Sequence, residues 1–469
     1  MLLHDHFFLY YDNFYLSYRH HTMKRSLLVP SLAFVCFTLS TAIAIPAGGT
    51  TTSLPLPHQQ AENALRHAAE GEVFALAAAL PRISDPGLSS LARARLAATR
   101  LDAIEAHRLV MSYLADSARS PAERALAWPI VADASFAEGD YQQAADAAHA
   151  WEKALTEQGA STDEQASALQ MAVVAEQLAS TPKQQVDAYL PKPETVKRDK
   201  VGLPHSSAVI NGKPQDVVLD TGANLSTVSL STARKLGLRM LDGSATVGSA
   251  SRQAVVSRIG IADHLEFAGL SLSHVAFLVL DDEQLNMPVP GGYQIDAILG
   301  FPALRPLQRL EFTADGQLLP SRSDATASAN GNLRMAGSDL YVNVMLDDMP
   351  VSMQLDSGGV RSALSSRFAS EHPSVVKGLK STKERVAGAG GSQVNQSATW
   401  PDVHVRIGDQ QTVLPAITVT LASAGTGKDT NLLGGDILQS FDHWTIDFQR
   451  MQFEVGKPLI KPTAKPRAE

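Results

Sequence analysis

The chain has 469 residues, 44% hydrophobic and 19% charged, with a formal net charge of −8. That length allows roughly three or four domains of ~100–200 residues each, and the composition is that of a globular chain. The mild negative charge, with no clustered basic run, excludes nucleic acid as the main partner, because phosphate binding needs concentrated positive charge.

Residues 1–22 hold Tyr10, Tyr11, Tyr15, Tyr18 and four histidines, an unusual local composition. Met23-Lys24-Arg25 then leads into an apolar run from Leu27 to Ala44 that ends in Ala42-Ile43-Ala44. A positive start, an apolar stretch and a small-x-small end form a secretory signal. Residues 23–44 are therefore expected to be a signal peptide and residues 1–22 a spurious or disordered extension. Pro30, Ser31, Ser40 and Thr41 weaken the alternative of a retained span, the one case that would bring membrane contact. The single cysteine, Cys36, lies inside this run, so the secreted chain has neither disulfide nor free thiol. Phe34 and Val35 before it are too bulky for a lipid-attachment signal. The expected location is the bacterial periplasm or the secreted fraction.

After a linker at 45–58, residues 59–189 read as helical. Alanine is dense and apolar residues recur at helical spacing, as at Ala94, Ala97, Leu101 and Ile104. Breaks fall at Asp85-Pro86-Gly87, Ser120-Pro121 and Glu138-Gly139-Asp140. The stretch from Ala125 through Trp128, Phe136, Gly139-Asp140-Tyr141 and Ala144 to Leu155 resembles a tetratricopeptide repeat, in which small residues let paired helices approach closely. The resemblance implies a docking surface for a substrate or protein partner. The reading of this region as an inhibitory pro-segment stays open.

Residues 190–202 form a polar, proline-bearing linker. From Leu203 the texture changes to short β-like runs separated by turn residues. Residues 203–320 and 332–456 read as two all-β segments joined by a linker at 321–331, with a loose tail at 457–469. The expected fold class is α + β multidomain: N-terminal α-helical hairpin repeats followed by two β lobes related by pseudo-two-fold symmetry.

The two β segments repeat each other. Pro214 and Pro350 each stand six residues before Asp220 and Asp356, in Leu219-Asp220-Thr221-Gly222 and Leu355-Asp356-Ser357-Gly358. Ile298-Leu299-Gly300 follows the first and Leu432-Leu433-Gly434 the second, with the glycines 80 and 78 residues after their aspartates. Leu304 and Leu438 come four residues later, then Glu311-Phe312 and Asp447-Phe448. In each half an apolar strand delivers an aspartate into a turn whose glycine allows a close approach that a side chain would block. The Thr221 and Ser357 hydroxyls can bond the backbone of the opposite turn. The apolar-apolar-Gly strand can shield the carboxylate from water. Two carboxyls brought together cannot both ionise, so they share a proton. One then takes a proton from water while the other donates to a peptide carbonyl. No metal or other cofactor is required.

Asp220-Thr-Gly-Ala223 with Ile298-Leu-Gly, and Asp356-Ser-Gly-Gly359 with Leu432-Leu-Gly, resemble the aspartic protease superfamily, in a form closer to bacterial retropepsin-like proteases than to pepsin. The resemblance spans roughly residues 203–456. It implies an endopeptidase acting on a peptide or protein, with Asp220 and Asp356 as the dyad and both halves in one chain as in pepsin. It also implies flap hairpins over the substrate, with tips at Gly248-Ser249 and at Gly388, Gly390 and Gly391, neither carrying the aromatic residue of pepsin's single flap. Ala223 and Gly359 depart from the Ser or Thr that pepsin-like enzymes carry at this position. A non-catalytic peptide-binding scaffold on the same fold is the alternative reading.

Other patterns are weaker. Ala424-Gly-Thr-Gly-Lys428-Asp lacks the first glycine and the final hydroxyl of a phosphate loop. The histidines after residue 22 show no metal-ligand spacing, and no Gly-x-Ser-x-Gly elbow is present. Tyr293, Trp400 and Trp444 are aromatics whose common fate is core packing.

Overall fold

A computed structural model describes residues 7–9, 54–247, 255–287, 292–324, 331–388, 391–422 and 429–459. The candidate signal peptide at 23–44 and the phosphate-loop-like run up to Lys428 lie outside the described residues, as do most of residues 1–22 and of the tail.

Among the described residues, seven α-helices follow the short strand Phe7–Leu9: α1 (His58–Ala69), α2 (Val73–Ala79), α3 (Pro86–Ala98), α4 (Ala103–Leu114), α5 (Pro121–Ala137), α6 (Tyr141–Glu157) and α7 (Thr162–Ala179). Their starts follow local chemistry. Asp85 caps α3 by accepting from Leu88 N–H at 2.8 Å, with Pro86 in the first helical position. Ser120 and Glu123 form a reciprocal capping box on α5, and Asp140 caps α6. Small residues let α5 and α6 pack closely, for Ala127, Ala132, Ala144 and Ala148 are fully buried. The periodic set Ala94, Ala97, Leu101 and Ile104 does not lie on one helix. Leu101 takes a left-handed φ of 61° in the turn between α3 and α4, and Ile104 is 87% exposed at the start of α4. A turn of unfavourable φ interrupts an otherwise helical pattern here, and apolar spacing alone does not register it.

The helices end at Ala179, not at 189. Gln185–Tyr189 is a strand that pairs antiparallel with Leu270–Ser273, Glu194–Thr195 pairs with Gln317–Leu318, and Lys197–Arg198 pairs with Pro204–His205. The polar segment after the helices is thus fastened along the first β unit by backbone hydrogen bonds, which polar sequence does not forbid.

Two large sheets follow. In the first, strands run in the spatial order Leu270–Leu280, Ser226–Ser229, Ala297–Leu299, Lys213–Leu219, Pro204–Ile210, Val255–Phe267. In the second the order is Gln410–Ala422, Ala363–Leu364, Leu432–Leu433, Met349–Leu355, Asp339–Leu346, and the last of these pairs with Gly391–Ile407. In both, the two long strands also pair with each other as a hairpin, which closes the circuit. The hairpins that deliver the aspartates share a turn as well. Asn211 and Gly212 have φ of 49° and 74°, and Asp347 and Asp348 have 44° and 68°, the left-handed pair that matches strand twist in a two-residue hairpin. Asn211 Oδ1 accepts from His264 N–H, and Asp347 Oδ1 accepts from His404 N–H.

A smaller sheet joins the halves. Arg309–Thr313 pairs antiparallel with His443–Asp447, placing Leu310 opposite Ile446 and Phe312 opposite Trp444. The Trp444 ring stacks on Phe312 at 4.0 Å. Trp444 is therefore core, as are most side chains around it.

Candidate active site

Lys213–Leu219 and Met349–Leu355 are apolar at their ends because each runs through a core: Val217, Val218, Leu219, Met353 and Leu355 are fully buried. Each strand leaves the core at its aspartate. Asp220 N–H donates to Leu299 O at 3.0 Å and Asp356 N–H donates to Leu433 O at 3.1 Å. Ile298-Leu299 lies parallel to Val218-Leu219, and Leu432-Leu433 lies parallel to Gln354-Leu355. The two apolar-apolar-Gly strands therefore stand beside the aspartate strands. Gly300 and Gly434 are glycines for space: a β-carbon on Gly300 falls 2.5 Å from Ala223 O, and one on Gly434 falls 2.6 Å from Arg361 O.

The turns meet face to face and their hydroxyls cross. Thr221 Oγ1 donates to Leu355 O and accepts from Ser357 N–H, each at 3.0 Å. Ser357 Oγ donates to Leu219 O at 2.9 Å and accepts from Thr221 N–H at 3.0 Å. All four bonds are buried, so each hydroxyl satisfies one donor and one acceptor of the opposite strand end. Gly222 and Gly358 face the carboxyls across the junction. A β-carbon on Gly222 sits 3.0 Å from Asp356 Cγ, and one on Gly358 sits 2.6 Å from Asp220 Cγ. Glycine is required there by close approach, not by an unusual φ.

Asp220 and Asp356 are 1% and 0% exposed, and a single β-carbon position on Gly222 lies 3.0 Å from Asp356 Oδ1 and 3.1 Å from Asp220 Oδ1, so the two carboxyls face the same buried spot. Gly222 N–H donates to Asp220 Oδ1 at 2.8 Å, and Gly359 N–H donates to Asp356 Oδ1 at 2.7 Å. Burial pushes the Asp220 carboxyl up. The Gly222 amide, the Asp356 side chain and the amides of Ala223 and Gly358 oppose that rise. Desolvation wins because a carboxylate this deeply buried loses its hydration, which favours the neutral form.

Ser226 and Ser362 complete the frame and were not singled out from sequence. Ser226 Oγ accepts from Gly300 N–H at 3.1 Å, and Ser362 Oγ accepts from Gly434 N–H at 2.9 Å. Both stand six residues after their aspartates, and Ser229 and Ser365, which cap the short helices that follow, both stand nine after. That matched spacing was the available signal. The second half differs in adding Asp436. It accepts from the Ser362 N–H and hydroxyl, and burial raises its carboxyl.

Of the candidate flap residues, Gly248, Ser249 and Gly390 lie outside the described residues. Gly388 pairs with Gly391 at the end of the hairpin formed by Ser381–Gly388 and Gly391–Ile407. The first hairpin pairs Ala245–Val247 with Val255–Ser257. Glu384 lies on the second hairpin. Burial pushes its carboxyl up to about 7, with Thr418 and the charge of Arg361, five residues after Asp356, opposing the rise. Tyr293 bonds Asp199 and His205, and Trp400 packs beside Phe368 at 6.1 Å between ring centroids. These contacts hold both rings within the fold.

Residues 206–303, which contain Asp220 and Ile298-Leu299-Gly300, match the family model described as Aspartyl protease. No curated protein matches the chain. Among solved structures, it is similar to a retropepsin-like aspartic protease from Rickettsia conorii at 15% identity, over 30% of this chain and 95% of that one. The TM-score is 0.20, so the two superpose too poorly for the likeness to bear on activity.

Proposed function

We propose that the chain is an aspartic endopeptidase whose two β units are lobes related by a pseudo-two-fold axis, with Asp220 and Asp356 as the catalytic pair. One observation carries this reading: two buried Asp-(Thr/Ser)-Gly turns, 136 residues apart, are locked together by reciprocal hydroxyl bonds with both carboxyls within 3.1 Å of one β-carbon position on Gly222. The match of residues 206–303 to the aspartyl protease family supports it.

In the reaction, the ionised carboxyl accepts a proton from a water molecule placed between the pair. The resulting hydroxide adds to the peptide carbonyl carbon, and the protonated carboxyl gives its proton to the carbonyl oxygen. The tetrahedral diol then collapses: one of its hydroxyls returns a proton to the carboxyl that gave one, the C–N bond breaks, and the nitrogen takes a proton from the carboxyl that received one. The dyad finishes with the single shared proton it started with. The hairpins that pair Ala245–Val247 with Val255–Ser257 and Ser381–Gly388 with Gly391–Ala398 act as flaps that keep bulk water from the intermediate. The chain works after export to the periplasm, with residues 23–44 removed as a signal. The helices, tetratricopeptide-like in their α5–α6 pair, recruit the protein substrate or a partner.

The test is hydrolysis of a mixed peptide library by the wild type, Asp220→Asn and Asp356→Asn, with circular dichroism as the control for folding. Loss of turnover in both folded variants is expected. Turnover retained in both ends the proposal, and turnover retained only in Asp356→Asn points to a site built from two copies of the first lobe.

A further inference from the structure

A cavity of about 320 Å³ lies where three parts of the chain meet. Its walls are Phe136 and Tyr141 from the α5–α6 turn, Lys183 from the segment after α7, Asn224 and Arg305 from the first β unit, and Met335 from the second. Its size falls within the range of ligand sites, and junctions between domains are where such sites concentrate. Phe136 and Tyr141 pack edge to face at 5.3 Å and give it an apolar wall.

Three lining residues carry charge: Glu138, Lys183 and Arg305. Arg305 is occupied, donating to Ala137 O at 2.8 Å and to Glu138 at 2.6 Å. Among the described residues no carboxylate pairs with Lys183, whose stem lies 3.4 Å from the β-carbon position of Gly139. The cavity therefore combines an apolar wall with one uncompensated positive charge, which suits an anionic side chain borne on a peptide.

Position ties the cavity to the dyad. Asn224 is four residues after Asp220, and four residues of chain span at most about 14 Å. The Phe301 N–H, which opens the segment leading to Arg305, donates to Ala223 O at 2.7 Å, so one wall is built directly on the catalytic turn. The corresponding place in the second half differs, since a β-carbon on Gly202 would stand 3.4 Å from the Val360 side chain there.

We infer that this cavity is an accessory subsite, completed by the helices, that takes a glutamate or aspartate side chain of the substrate about four residues from the bond being cut, on one side only. This rests on the protease reading. It gives the helices a direct part in selecting substrate.

The experiment uses fluorescein-labelled peptides with a central Leu-Phe pair, in which one glutamate is moved from two to seven positions away on either side. An all-glutamine peptide is the reference. Binding to the full-length Asp220→Asn chain is read by anisotropy, and kcat/KM is read with the wild type. A two- to five-fold gain is expected for glutamate near the fourth position on one side, the range of a partly exposed ion pair. Adding Lys183→Glu should erase that gain, with Lys183→Gln intermediate. No positional gain, or a gain that survives Lys183→Glu, overturns the subsite. Cleavage with no positional preference leaves the protease reading standing and removes the subsite. A Lys183-dependent binding preference without cleavage of any peptide does the reverse.

Discussion

The crossed hydroxyls make a quantitative demand on the fold. In Thr221→Val the side chain keeps its shape but loses both bonds, leaving Leu355 O and Ser357 N–H without their partner in a buried site. An unsatisfied buried polar group costs about 1–3 kcal/mol, so two cost about 2–6 kcal/mol. Ser357→Ala should cost a similar amount, because it strands Leu219 O and Thr221 N–H in the same way. Ser357→Thr restores the hydroxyl and should be tolerated, since Thr221 already occupies the matching place. The assay is urea unfolding followed by tryptophan fluorescence, with Trp400 and Trp444 reporting on the second β unit, beside kcat and KM on one peptide. Both deletions should lower kcat at least about tenfold with a smaller change in KM, because small displacements of the carboxyls damage the reacting geometry more than binding. Stability of both deletion variants within about 0.5 kcal/mol of wild type, the range of an inconsequential surface change, would refute the claim that these bonds hold the halves together.

Gly358→Ala should abolish activity in a folded protein, because its β-carbon would stand 2.6 Å from Asp220 Cγ; kcat within threefold of wild type contradicts the close approach. Burial raises the Asp220 carboxyl, and neither Ala223 nor Gly359 offers a hydroxyl to lower it. The activity bell should centre on the order of pH 5–6 and fall as pH rises and the shared proton is lost, with Ala223→Ser moving the acidic limb down by about one unit or less; an optimum below about pH 3 is the contrary result. Glu72, between α1 and α2, is pushed up to about 7 by burial and by Glu371, with Arg367 opposing and Glu70 adding to the rise. Its folded pKa exceeds its unfolded value, so the folded state binds the extra proton and stability falls as pH rises from about 4.5 to 7, by at most about 3 kcal/mol. Glu72→Gln should flatten that part of the stability–pH curve, and an unchanged slope in urea titrations between those pH values excludes the assignment.

The candidate dyad was legible because its chemistry is local. An apolar strand ending in Leu-Asp-(Thr/Ser)-Gly, with an apolar-apolar-Gly run some 80 residues on, survives as a pattern in one dimension. Helix starts were legible for the same reason, since a cap such as Asp85 or Ser120 acts on amides two or three residues away. The paired serines at six and nine residues after each aspartate carried equal information and were missed, because serine is common and a single one means nothing without its partner. The turn at Leu101 and the strand at Gln185–Tyr189 were hidden for another reason: one depends on a backbone angle, the other on an edge supplied by Leu270–Ser273.

Sequence alone therefore determined which residues could act, because residue type and short spacing fix the acid, the hydroxyl and the glycine of each turn. Only the tertiary structure decided that Thr221 reaches Leu355 O and Ser357 reaches Leu219 O, that both carboxyls are dry, and that Lys183 and Asn224 line one cavity. Those facts join residues 41 to 138 positions apart, and such contacts depend on how sheets close and helices dock. Chain order does not encode that directly, because many residues share the same local preferences and only packing selects which of them meet.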